Sequence, residues 1–329
     1  MSPGPSGAGR SAELDIVEAT PAHAADVVAV IHRSFLARPA LDPPGTALDE
    51  TAETVAATLA EHGGLLAMRR GRPIGAMLFD RSRPGALGFT RVSVDPQGRD
   101  RGVASAMVGV AEDIAEDAGM DSIWLHVREE LPENLRFWTH RHYVPVSQEG
   151  RLLELGKTLW LAREIPDAEA MSAFAHRVAS LLRAGDLLVL TGDLGAGKTT
   201  FTQGLGEALG VRGPVTSPTF VLARTHPSLV GGPSLVHVDA YRLADAVELE
   251  DIDLDTTLDT AVTVVEWGEG KAEALSPNRL AITIEVRAAD DADPGGARCG
   301  IDSDEMRVIS VRPHGPRWIG VPLRSTLLA

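Results

Sequence analysis

The 329-residue chain contains a single cysteine, Cys299. One thiol closes no internal disulfide and supplies too few ligands for a cysteine-based zinc cluster, so a reducing compartment is expected. No stretch approaches the roughly 18 consecutive apolar residues of a membrane span, and Met1 to Arg10 is rich in Gly, Pro and Ser with no apolar signal core. A soluble, cytoplasmic protein with no membrane association is the expectation. Positive charge is scarce as well. The formal net charge of −15 repels phosphate backbones, so any link to nucleic acid should run through a partner. There is no internal repeat, and the length suits about two domains, each able to bury its own core.

Lysine is nearly missing, with three residues against 28 arginines, and this makes the position of one of them informative. Lys198 lies in the run Gly192, Asp193, Leu194, Gly195, Ala196, Gly197, Lys198, Thr199, Thr200, which fits G-x-x-x-x-G-K-[ST] at every position. The glycines let the backbone wrap around phosphates with its N–H groups pointing inward, and the following helix adds its positive end. Lys198 then meets the β- and γ-phosphates and Thr199 a magnesium ion. The context agrees: Asp186 to Leu190 reads as a buried strand, and Lys198 to Leu209 as a helix closed by Gly210. A second Gly-Lys-Thr at Gly156, Lys157 and Thr158 has Arg151 where the upstream glycine is needed and is discounted.

Residues 1–12 read as a disordered tail, 13–163 as a first domain, 164–312 as a second and 313–329 as a C-terminal tail. Asp167 is placed to cap an apolar-periodic helix from Ala168 to Leu182. Further strands are expected at Leu235–Tyr241, Val262–Trp267, Leu280–Val286 and Arg307–Val311, with a polar loop from Ala288 to Glu305. Asp239 and Glu266 end two of these apolar runs. Each therefore emerges at the carboxyl edge of the sheet, where an α/β fold binds its ligand and where magnesium and water must be held.

The runs Gly192–Phe201, Ser217-Pro-Thr-Phe220, His237-Val-Asp-Ala-Tyr-Arg-Leu243 and Val265-Glu-Trp-Gly268, in that order, resemble the TsaE family of bacterial ATPases needed for tRNA N6-threonylcarbamoyladenosine. The resemblance covers about residues 164–312. It implies a P-loop NTPase-like α/β fold that binds ATP, with Lys198, Asp239 and Glu266 as the catalytic set. It also implies magnesium on Thr199 and Glu266, Trp267 beside the nucleotide, and Thr216 to Thr219 as a switch-like loop. Its partners are the threonylcarbamoyl-transferase subunit and the dimerising paralogue of that subunit, and tRNA is met only through that complex. An acidic stretch, Glu248, Glu250, Asp251, Asp253 and Asp255, is either a docking surface for a basic partner or a solvated face. No Asn/Thr-Lys-x-Asp segment occurs, so ATP is preferred to GTP. An arginine reaching the nucleotide from beyond Arg287 is left open. A small-molecule kinase is the rival reading, but neither an acceptor pocket nor an arginine-rich lid is identifiable.

In the first domain, Arg91 to Val94 reads as a strand that runs through an Arg/Gly/Asp turn into a helix from Gly102 to about Asp117, with Val103, Met107, Val110 and Ile114 on one face. Such a strand–turn–helix unit offers backbone N–H groups to a pyrophosphate. Arg99-Asp-Arg-Gly-Val-Ala104 resembles the acetyl-coenzyme A loop of the GNAT acetyltransferases. The order of a helical region (Pro21–Phe35), strands at Gly64–Met68, Ile74–Leu78 and Ile123–Val127, and Asn134 to Trp138 ahead of Tyr143 supports it over residues 13–163. The resemblance implies a mixed α/β fold. It puts Val92, Val94, Arg99, Asp100, Arg101, Gly102, Val103 and Ala104 against acetyl-CoA. Where such enzymes often carry an acidic tyrosine, this chain has Trp138, whose indole has no titratable proton near neutrality. His140, His142 and Tyr143 are the candidate substitutes, and Glu129 and Glu130 the candidate bases. The alternative is a binding or docking module without transfer activity.

Overall fold

The computed structural model describes residues 14–39, 41–96, 102–218, 221–250, 252, 254–287 and 306–329. The chain forms two compact units, Met1–Lys157 and Thr158–Ala329. The expected tail at residues 1–12 and the loop at 288–305 lie outside the described residues.

The first unit contains β1 (Leu14–Glu18), α1 (Ala24–Leu36), α2 (Ala52–Glu61), β2 (Gly64–Arg69), β3 (Arg72–Asp80), β4 (Ala86–Val94), α3 (Val103–Asp117), β5 (Ser122–Arg128), α4 (Pro132–Thr139), β6 (Val144–Glu149) and β7 (Leu152–Thr158). The strands make one mixed sheet in the order β1-β2-β3-β4-β5-β7-β6. β2 and β3 read as near-continuous apolar runs because helices cover both faces. Val27, Val30 and Ile31 of α1, at i, i+3 and i+4, bury against the sheet together with Val55 and Leu59 of α2. On α3 the buried stripe is Val103, Met107, Val108, Ala111 and Ala115, and the expected Val110 and Ile114 are only half-buried. Two alanines bring the last turns of α3 onto the sheet, which rotates the helix toward its small residues.

What positions a site here is the parting of two parallel strands. The β4–β5 ladder runs from Ala86–Ser122 to Phe89–Leu125, whereas β4 continues to Val94 and β5 to Arg128. The β3–β4 register slips in the same stretch, and Arg91 takes φ +51°, as at a bulge that re-aims the strand.

The second unit contains β8 (Leu161–Ile165), α5 (Ala168–Ala179), β9 (Leu187–Thr191), α6 (Lys198–Ala208), β10 (Ala223–His226), β11 (Ser234–Asp239), α7 (Ala246–Glu250), α8 (Asp255–Leu258), β12 (Ala261–Glu266), β13 (Arg279–Val286), β14 (Arg307–His314) and α9 (Leu323–Leu327). The sheet order is β10-β11-β12-β9-β13-β14-β8, with β11, β12, β9 and β13 parallel. Asp167 caps α5, accepting from the Ala170 N–H at 2.7 Å. β8 pairs with β14 through Leu161–Val311, so the strand that enters this sheet starts before the expected domain boundary at 163/164.

The segment expected as a C-terminal tail is part of the core. β14 runs on to His314, and Trp318, Leu323 and Leu327 are fully buried in the cluster that holds Phe174, Phe201 and Ile282. Arg317 adds a forked ion pair to Asp186 at 2.9 and 3.0 Å, just ahead of β9. An apolar residue every four or five positions suffices to seat a short closing segment, a signal too sparse to register as a periodic element.

Candidate functional site

Parallel pairing sets the second unit's site. Asp239 lies opposite Glu266, and Glu266 opposite Leu190, two residues before Gly192. Both strand-end acids therefore arrive level with the start of the phosphate-binding loop. At Gly192, with φ +149°, an added Cβ would meet the Ile284 carbonyl oxygen at 2.3 Å, so only glycine lets the loop leave the sheet there. The loop ends at α6, whose first-turn N–H groups have no intrahelical acceptor. A cavity of about 470 Å³ opens at this point. Leu194, Gly195, Gly197, Lys198, Thr199, Thr200, Ser217, Asp239, Tyr241, Glu266 and Trp267 line it.

Within it Lys198 is buried, and its Nζ donates to the carbonyls of Gly192 at 2.7 Å and Asp193 at 2.9 Å. Burial pushes the ammonium below its ordinary range, opposed by the nearby carboxylates of Glu266, Asp239 and Asp193. The Thr199 hydroxyl donates toward Glu266, 3.1 and 3.2 Å from its two oxygens. Asp239 accepts from the Ser217 hydroxyl at 2.9 Å and from the Tyr241 N–H at 3.0 Å. Trp267 holds φ +61°, donates its backbone N–H to the Leu190 carbonyl and packs against Tyr241 with ring centroids 5.1 Å apart.

The predicted Lys198, Thr199, Asp239, Glu266 and Trp267 thus share one cavity. Gly192, Asp193 and Ala196 belong to the loop but do not line it. Thr216 accepts from Arg224 at 3.1 Å, while Thr219 of the switch-like loop lies outside the described residues, as do Asp251, Asp253 and the side chains of Glu250 and Asp255. Four residues at the site carry no role in the sequence reading: Tyr241, which lines the cavity against Trp267, and Ser217, His237 and Arg307. Ser217 was seen only as part of a motif. His237 sits two positions before Asp239 on the same strand face, and that spacing could have found it. Arg307, from beyond Arg287, donates to the Ala196 carbonyl at 3.1 Å and so buttresses the loop from outside the cavity.

These groups fit a magnesium–nucleotide complex. Inward N–H groups and a lysine suit phosphate oxygens, and magnesium takes one or two protein oxygens beside phosphate and water. Among the described residues no group of three or more His, Cys, Asp or Glu side chains could hold a metal ion.

In the first unit a cavity of about 660 Å³ lies where β4 and β5 part. Val92, Val94, Gly102, Val103, Ala104 and Ser105 form one wall, Arg38 and Pro39 lie beyond α1, and Glu130, Glu133, Asn134, Phe137, Trp138 and Arg141 close the other side. Gly102 caps α3 at φ +72°. Arg99, Asp100 and Arg101 lie outside the described residues.

The expected substitutes for an acidic tyrosine are not on the cavity wall. Tyr143 is buried, and its hydroxyl donates to Glu112 at 2.9 Å. Burial first, then the Glu112 charge, raises its phenol well above the ordinary range. His140 and His142 are exposed and do not line the cavity. Glu129 lies off the wall too, accepting from Gln148. Glu130 is on the wall, but hydrogen bonds from Arg128 hold its carboxyl down at about 2, far below the range of an effective base near neutrality. Lys157 of the discounted motif is paired with Glu112 at 2.8 Å.

Comparison with known proteins agrees with this division. A family model described as threonylcarbamoyl adenosine biosynthesis protein TsaE matches residues 165–293, and the acetyltransferase (GNAT) family model matches residues 32–143. The tRNA threonylcarbamoyladenosine biosynthesis protein TsaE of Streptomyces coelicolor is 56% identical over 149 residues, 45% of this chain and 93% of that protein. Its counterpart in Mycobacterium tuberculosis is 50% identical over 128 residues, 37% of this chain and 76% of that protein. Among solved structures, the PaiA N-acetyltransferase of Thermoplasma acidophilum in complex with coenzyme A is 12% identical with a TM-score of 0.41, covering 44% of this chain and 99% of that one. With a phosphate-binding loop and two strand-end acids around one cavity, and a 56% identical relative covered over 93% of its length, the chain belongs to the TsaE family, with a match to the GNAT family model at residues 32–143 ahead of its P-loop unit.

Proposed function

We propose that the second unit is an ATP-hydrolysing accessory protein in the formation of threonylcarbamoyladenosine on tRNA, and that the first is an acetyl-CoA-dependent N-acetyltransferase. The convergence of Lys198, Thr199, Asp239 and Glu266 on one cavity carries the first part. The reaction is ATP plus water to ADP plus phosphate. Lys198 offers its charge to the β- and γ-phosphates, and the α6 N–H groups orient them. Thr199 and Glu266 hold magnesium, which when bound neutralises charge on the phosphate oxygens. Asp239, fixed by Ser217 and the Tyr241 N–H, is the acid positioned toward the γ-phosphate and its attacking water. The unit works in the cytoplasm with a threonylcarbamoyl-transferase subunit and its dimerising paralogue, and meets tRNA only through them. The full chain, placed in a bacterium depleted of its own TsaE-type ATPase, restores threonylcarbamoyladenosine in digested tRNA, and Lys198→Ala does not. Equal restoration by the variant overturns the proposal.

A second reading of the first unit has a specific observation behind it. Trp138 is on the cavity wall, and Tyr143 spends its hydroxyl on Glu112. A unit that binds acetyl-CoA without transferring the acetyl group is consistent with both. Acetyl-CoA binding by calorimetry, with no thiol release over a panel of amines, selects that reading; thiol release selects the transferase.

A further inference from the structure

We infer that His237 is a positioning residue of the nucleotide site, holding the Glu266 carboxylate in the orientation that meets Thr199 and magnesium; this rests on the ATP–magnesium reading above. His237 is fully buried on β11, and its Nε2 lies 2.9 Å from Glu266 Oε1. The parallel register puts His237 opposite Val264 and Asp239 opposite Glu266, so the imidazole reaches Glu266 along the diagonal from inside the sheet. Thr199 approaches the same carboxylate from α6. Oε1 thus receives two partners, whereas Oε2 has Thr199 alone at 3.2 Å and is the less committed oxygen for the metal or its waters.

Packing does not require a histidine here. Its neighbours on β11, Leu235, Val236 and Val238, are buried and apolar, and a leucine or valine would fill a strand position of this kind. The imidazole instead carries a cost, because its Nδ1 is buried with no hydrogen-bond partner among the described residues. An unpaired acceptor is the milder of the two ways to strand that atom, which favours the tautomer with the proton on Nε2, facing Glu266. Glu266 is itself only 3% exposed and has little water to solvate it. Two fixed donors, Thr199 and His237, hold its rotamer. Outer partners of this sort orient a metal-binding carboxylate, and losing one costs about 10- to 100-fold in metal affinity or activity.

The test compares His237→Gln, His237→Asn and His237→Leu in the full chain, alongside Glu266→Gln. A glutamine amide reaches about where Nε2 stands, whereas asparagine stops near Nδ1. Calorimetry measures ADP affinity with and without magnesium, and hydrolysis is followed with the partner proteins present. His237→Asn and His237→Leu are expected to weaken the magnesium-dependent gain in ADP affinity about 10- to 100-fold and to lower kcat/KM for magnesium–ATP comparably, with metal-free ADP affinity nearly unchanged. His237→Gln recovers most of both. Equal behaviour of the Gln and Asn variants, or no loss in either, overturns the inference; this comparison stands even if His237→Leu fails to fold. If Glu266→Gln also leaves the magnesium dependence intact, the metal reading itself has failed. If Glu266→Gln loses it while His237→Asn does not, the metal reading survives and the inference about His237 falls.

Discussion

Lys198 Nζ sits 3.7 Å from the centroid of the Trp267 ring while donating to two carbonyls of its own loop. The ammonium therefore has three partners that a nucleotide phosphate must partly replace, the indole contributing about 0.5–2 kcal/mol by cation–π attraction. Trp267 holds φ +61°, where an L-residue is strained, so the fold spends free energy to keep that ring there. Adding ADP draws the charge off the indole and changes tryptophan emission. The change should vanish in Trp267→Phe; if the other four tryptophans carry it all, the displacement does not occur.

Removing the loop cation has a larger effect. Lys198→Ala is expected to lower ATP hydrolysis in the presence of the partner proteins by about 100-fold or more. The Lys198 ammonium bonds the carbonyls of Gly192 and Asp193 in its own loop, just past the end of β9, and no carbonyl of the strand itself, so thermal stability should shift less than activity. A variant with the parent rate removes Lys198 from the chemistry.

Closing the C-terminal segment is expected to be energetic rather than decorative. Arg317 and Asp186 form a forked pair with side chains 10% and 3% exposed. Arg317→Ala leaves the buried Asp186 carboxylate without its counter-charge, held only by the Arg183 N–H at 2.9 Å, a loss of about 3–5 kcal/mol. Urea unfolding of the full chain should show it as a lowered midpoint of the second unit's transition. Deletion of residues 315–329 should cost more, because Trp318, Leu323 and Leu327 leave the core with it.

Alkaline pH provides a test in the first unit. Burial and the Glu112 charge raise the Tyr143 phenol above its ordinary value of 10. The unfolded chain therefore ionises first as pH rises, and the stability this residue contributes is complete below pH 10 and lost above it. Comparing melting temperatures of the parent and Tyr143→Phe between about pH 9 and 11 should show the steeper alkaline decline in the parent. Parallel declines would mean that the phenol is not sequestered.

Coenzyme binding is decided at the start of α3. Gly102 has φ +72°, and a side chain there costs about 1–2 kcal/mol. Gly102→Glu also brings a negative charge to the end of a helix suited to an anion. Calorimetry with acetyl-CoA should show binding by the parent and at least a tenfold loss in this variant. Unchanged binding would move the coenzyme elsewhere.

The residues legible in the sequence are those whose chemistry is contiguous. Gly192 to Thr199 needs only a strand, a turn and a helix start, all within one local run, and Asp239 and Glu266 announce themselves by ending apolar strands. The secondary elements around them follow from periodicity for the same reason. His237 with Glu266, Ser217 with Asp239, Lys198 with Trp267 and Arg317 with Asp186 are different in kind. Each joins positions 22 to 131 residues apart, and which strands become neighbours depends on how the whole sheet is ordered, a choice made by packing both faces at once. The first unit shows the same limit: its sequence showed that Trp138 cannot give up a proton, but only the folded core turned Tyr143 inward onto Glu112 and set Glu130 under Arg128. Local chemistry was determined by the sequence itself; the partners that orient it were decided by tertiary structure, because long-range contact is a property of the packed sheet and not of any segment within it.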